Sequence, residues 1–71
     1  MTQTEAVYNY LKGGGVLTAE KARTLFGTTR LAARINDIKR GRGVPATQVE
    51  CTMITVPTRG GETRVAKYWV D

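Results

Sequence analysis

Histidine and serine are both absent from this 71-residue chain, and Cys51 is its one cysteine. Neither a Ser-His nor a Cys-His nucleophile pair can therefore be assembled. A zinc site would fall to one thiolate and carboxylates, a poor donor set. No catalytic residue, cofactor or metal is expected. A lone cysteine also forbids an intrachain disulfide, which suits a reducing cytoplasm. Long apolar runs are missing too, and none approaches the ~20 residues needed to cross a bilayer. The start, Met-Thr-Gln-Thr-Glu, has neither the basic residues nor the apolar core of a signal peptide. At this length a chain forms one domain and buries only ~60% of its unfolded surface, leaving no deep substrate cavity. The expectation is a cytoplasmic, non-membrane protein that is not an enzyme and takes no small-molecule substrate.

Acidic residues are scarce as well. Six Asp and Glu stand against 11 Lys and Arg, a net charge of +5 and a pI near 9.9. Such a balance favours a polyanionic partner, although solubility alone asks similar charge of a small domain. What decides is where the charge sits.

Along the chain, Thr2 and Glu5 have capping-box spacing, and Ala6, Val7, Tyr10 and Leu11 form one apolar stripe. This predicts a helix over about 3–12, stopped by Gly13-Gly14-Gly15. Val16-Leu17 is long enough for a minimal strand. Thr18 is a good N-cap for a helix over about 19–26, with Ala19, Ala22, Leu25 and Phe26 on one face. Gly27 can take the left-handed conformation that ends it, and Thr28 or Thr29 caps the next helix, about 29–40. There Leu31, Ile35 and Ile38, with Ala32 beside them, face inward. Thr29, Arg30, Ala33, Asn36, Asp37 and Arg40 face away, and Arg34 lies at the flank. Gly41, Gly43 and Pro45 end the helix.

From Thr47 the pattern becomes β-branched and alternating, predicting a hairpin over about 47–70 with a turn at Pro57–Glu62. The apolar phase of its first strand shifts between Met53 and Ile54. That predicts a bulge there, or a strand that twists out of the core. Helix, short strand, helix, turn, helix, hairpin is the order of a winged helix-turn-helix: an α+β fold of three helices with a small antiparallel sheet.

The basic residues gather on the second half of the helix pair. Positions 30–42 hold five basic side chains and one acidic. A helix fits the DNA major groove, so the third helix is expected to be a recognition helix on double-stranded DNA. Arg30 is the first candidate to fork onto a guanine, and Asn36 pairs in principle with adenine. Arg34 either reads a base or lays its stem on apolar neighbours and pairs with a carboxylate such as Glu20. Asp37 either accepts from a cytosine amine or pairs with Arg30 or Arg40. Lys39, Arg40 and Arg42 suit phosphates and also the helix dipole. Thr28 and Thr29 sit at a helix N-terminus, where hydroxyls can meet a phosphate. Arg59 and Arg64 bracket the glycines of the hairpin tip, which suits a DNA backbone or minor groove. Trp69 is a candidate protein interface: if Tyr68 packs inward, alternation sends Trp69 outward, unless the first helix covers it. A homodimer or a host-protein partner is the second class of function.

The residues Leu17-Thr18, Ala22, Phe26-Gly27, Arg30-Leu-Ala-Ala-Arg-Ile35, Ile38-Lys-Arg-Gly41 and Tyr68 resemble the small winged helix-turn-helix proteins of tailed bacteriophages and prophages. The resemblance spans nearly the whole chain and is most specific at 17–41. It implies a DNA-binding product in the host bacterial cytoplasm, such as a transcriptional regulator or an excisionase-like accessory factor. The alternative is an interaction protein that modulates a host factor on the same scaffold. The chain departs from the pattern by an additional Arg-Gly within Gly41–Pro45, where the helix ends and the wing begins.

Overall fold

Thr2 opens the first helix with a complete capping box. Its hydroxyl accepts from the Glu5 N–H at 3.1 Å, and the Glu5 carboxylate accepts from the Thr2 N–H at 3.2 Å. In this computed structural model, which describes residues 2–71, α1 runs Gln3–Lys12, α2 Ala19–Phe26 and α3 Leu31–Arg40. Strands β1 (Glu50–Thr58) and β2 (Gly61–Trp69) follow as an antiparallel hairpin. Leu17 adds a single antiparallel bridge to Tyr68, with N–H···O distances of 2.9 and 2.8 Å. The expected third strand is thus one residue pair, enough to tie the hairpin base to the α1–α2 connection.

The core lies between the three helices and the hairpin base. Val7, Leu11, Leu17 and Ile38 are fully buried, with Ala22, Leu31, Ile35 and Val49 around them. Burying a side chain of this size stabilises the fold by about 1.5–3 kcal/mol. Tyr10 closes one side, edge-on to Phe26 with ring centroids 5.7 Å apart. Two residues assigned to the inner face of α2 do not reach this core. Ala19 is exposed, and Leu25 is 49% exposed. An eight-residue helix crossing the core at one stripe has room inward only for Ala22 and Phe26.

Gly27 takes φ +70° at the end of α2, and its N–H returns to the Arg23 carbonyl at 2.9 Å. A side chain in that region costs roughly 1–2 kcal/mol. Nothing stands near the position of an added Cβ, so Gly27→Ala is expected to lose about that much through backbone strain alone. Urea unfolding checks this, and an unchanged midpoint would contradict it.

The turn after Gly27 differs from the sequence expectation. Neither Thr28 nor Thr29 caps the next helix. Arg30 is the N-cap, without a side-chain cap, and α3 starts at Leu31 rather than near 29. Thr28 is 3% exposed, and its hydroxyl accepts from the Arg30 N–H at 3.2 Å. The hydroxyl thus closes the connecting turn instead of the helix end. At the other end, Gly41 and Arg42 donate to Ile38 and Asp37 carbonyls at 3.2 and 2.8 Å. This pair of hydrogen bonds is the Schellman arrangement that a left-handed Gly41 permits.

The hairpin decides one further expectation and corrects another. Its register runs without interruption from Glu50↔Trp69 to Thr58↔Gly61, so there is no bulge at Met53–Ile54. The second expected alternative holds instead: the strand leaves the core. Met53, opposite Ala66, is 49% exposed on one face, while Ile54 and Val65 pair half-buried on the other. The turn is also tighter than Pro57–Glu62, since only Arg59-Gly60 lies outside the strands. Nine-residue strands reach about 30 Å, and the molecule is accordingly elongated, 39 Å along its long axis.

Tyr68, at the hairpin base, has its phenol pushed above the ordinary value of 10.0, first by burial and then by its cross-strand neighbour Cys51. A raised phenol pKa means that the folded state holds the proton more tightly than the unfolded one. Its contribution is intact below the unfolded value and is lost as pH rises through the folded value. The stability of the protein is expected to fall above pH 10 more steeply than that of Tyr68→Phe. Parallel curves from denaturant melts across that range would refute this.

Candidate nucleic-acid interface

The outer face of α3 is set by what its inner face buries. Leu31, Ile35 and Ile38 point to the core, which leaves Ala32, Asn36, Lys39 and Arg40 exposed and Ala33 half-buried. Ala32, expected beside the inward face, is therefore on the outer one. At 100° per residue it sits one turn before Asn36 and two before Arg40. Arg30 and Thr29 are exposed just ahead of the helix, and Arg42 just beyond it. The first amide groups of α3 have no side-chain cap, an arrangement that suits an anion.

Asp37, expected on this face, and Arg34, expected at its flank, are both drawn away from it. Arg34 and Asp37 form an ion pair at 3.4 Å, and the buried Thr4 hydroxyl of α1 donates to the same Asp37 oxygen at 3.4 Å. Asp37 thus turns toward α1 and pairs with neither Arg30 nor Arg40. Arg34 takes its expected carboxylate partner, Asp37 in place of Glu20, and among the described residues its buried Nε has no hydrogen-bond partner. Both act as a polar clasp between α1 and α3. Thr28, already committed to the turn, is closed off as well.

The remaining cations are uncompensated. Among the described residues, Arg34–Asp37 is the single ion pair. Arg30, Lys39, Arg40, Arg42, Arg59 and Arg64 are exposed with no carboxylate against them. Arg59 occupies the hairpin tip, and Arg64 stands across from Thr55. A groove between helix pair and hairpin is lined by Ala19, Glu20, Arg23, Thr29 and Val65. Arg23 belongs to this surface, and sequence reasoning missed it. The available signal was its position on α2, one residue past the buried Ala22. Trp69 is half-buried on the face of the strand opposite Tyr68, and Lys67 Nζ lies 5.7 Å from its ring centroid.

A short turn held by Gly27, an outward α3 and a hairpin beside it together define a winged helix-turn-helix. A family described as winged helix-turn-helix domain matches residues 2–70. The chain belongs to this family. No curated protein and no solved structure matches it. The winged helix-turn-helix suggests DNA binding, and such domains are typically non-enzymatic DNA-binding modules. Among the described residues of this winged helix-turn-helix, no helix is long and apolar enough to cross a membrane.

Proposed function

We propose that this winged helix-turn-helix protein binds double-stranded DNA as a phage-type transcriptional regulator or excisionase-like accessory factor. The outer face of α3 enters the major groove, with Ala32, Ala33 and Asn36 nearest the bases and Arg30 reaching a guanine from the helix start. Lys39, Arg40 and Arg42 hold phosphates at one end, and Thr29 with the uncapped amides of α3 holds one at the other. Arg59 and Arg64 bring the wing onto the backbone or minor groove. The observation that carries this is the set of exposed cations without carboxylate partners around α3 and along the wing.

A scaffold for a host protein drew its support from an acidic Asp37 on the outer face and an outward Trp69. Asp37 is clasped to α1, and Trp69 is half-buried under Lys67. Asp37 therefore no longer favours that reading.

The division of labour is tested by titrating labelled duplexes. Arg30→Ala is expected to relax sequence preference by about 1–3 kcal/mol at one position, and Arg59→Ala to weaken all duplexes alike. Equal effects from both would overturn the assignment of roles. A palindromic motif selected from a random duplex pool would point to a homodimer.

A further inference from the structure

Once the clasp has taken Arg34 and Asp37, the outer face of α3 holds few groups able to tell one base from another. Asn36 is exposed at its centre, and among the described residues its carboxamide has no hydrogen-bond partner. One turn before it on the same face stands Ala32, whose side chain is a single methyl. We propose that Asn36 is a specificity-determining residue, reading the major-groove edge of an adenine, while Ala32 contacts the methyl of a nearby thymine. This rests on the DNA-binding reading given above.

The chemistry is selective. Adenine shows an acceptor at N7 and a donor at N6, which a carboxamide matches with its own donor and acceptor. Guanine shows two acceptors, so one of them would meet the Asn36 oxygen and repel it. Cytosine offers one donor and thymine one acceptor. The small side chains at 32 and 33 let the helix backbone approach the base edges, which the single methylene that carries the Asn36 carboxamide requires. One helical turn is 5.4 Å, or one to two base-pair steps of about 3.4 Å. The thymine is therefore one or two pairs from the adenine.

The test uses the full chain and duplexes selected from a random pool. The wild type is expected to select a motif with a fixed adenine. Changing that pair to G·C, or replacing the adenine by 7-deazaadenine, should weaken binding about 10-fold to 100-fold. Uracil in place of the neighbouring thymine should cost less. Among the described residues Asn36→Ala removes no hydrogen bond, and the variant should fold as the wild type by circular dichroism. It should select no fixed adenine at that position and treat adenine and 7-deazaadenine alike. A fixed adenine that survives in Asn36→Ala, or indifference of the wild type to 7-deazaadenine, overturns this inference and leaves DNA binding standing. Binding without any motif does the same. Absence of all duplex binding by the wild type overturns the DNA reading itself.

Discussion

Ile38→Ala is expected to destabilise the protein by about 2–5 kcal/mol, the range for truncating a fully buried Ile. Ile38 has no exposed surface, and its helix packs against both α1 and α2. Its carbonyl also receives the N–H of Gly41 at 3.2 Å and of Thr47 at 3.1 Å. The residue thus fixes the end of α3 and the path toward the wing at one point. A domain of this size has roughly 4–11 kcal/mol to lose, so the variant should be partly unfolded at 37 °C. Urea unfolding reads the loss directly. A change under about 1 kcal/mol would mean that this core is not the one described.

The second large effect is electrostatic. Arg40 and Arg42 flank the Gly41 cap, both exposed and both without a carboxylate partner. Replacing both with Ala should leave stability within about 0.5 kcal/mol, as for surface positions generally. Duplex affinity should fall about tenfold or more. The slope of log K against log salt should shrink by about 1.8, near 0.9 for each phosphate no longer neutralised. Fluorescence anisotropy at several salt concentrations measures both. An unchanged slope would remove these two residues from the interface.

What the sequence made legible was local. A Thr-x-x-Glu box, a Thr N-cap and glycine stops act within a turn or two of chain, and α1 and α2 begin and end where these residues stand. The helix-turn-helix order and the wing followed from the same signals. Side-chain direction on α3 was not legible in the same way. Arg34 and Asp37 sit on the flank of the helix, and only the buried Thr4, 33 residues away from Asp37, draws them inward. Thr28 has the composition of a cap but the burial of a core residue, a fact of tertiary packing. Met53 and Ile54 presented two apolar phases that a strand within the core could not satisfy together. A hairpin projecting from the core satisfies both, one on each face. The consequence for the interface is a face less charged at its centre than the arginine count suggested, with cations at its ends and Asn36 between them.

The most direct test of the central claim, that the exposed cations of α3 and the wing grip a DNA duplex, is a salt titration. Wild-type protein is titrated onto a random-sequence duplex from 50 mM salt upward. With roughly six phosphates neutralised, binding should be micromolar at the lowest salt and should weaken with a log–log slope near −5. No binding at 50 mM, or binding that ignores salt, would contradict the claim.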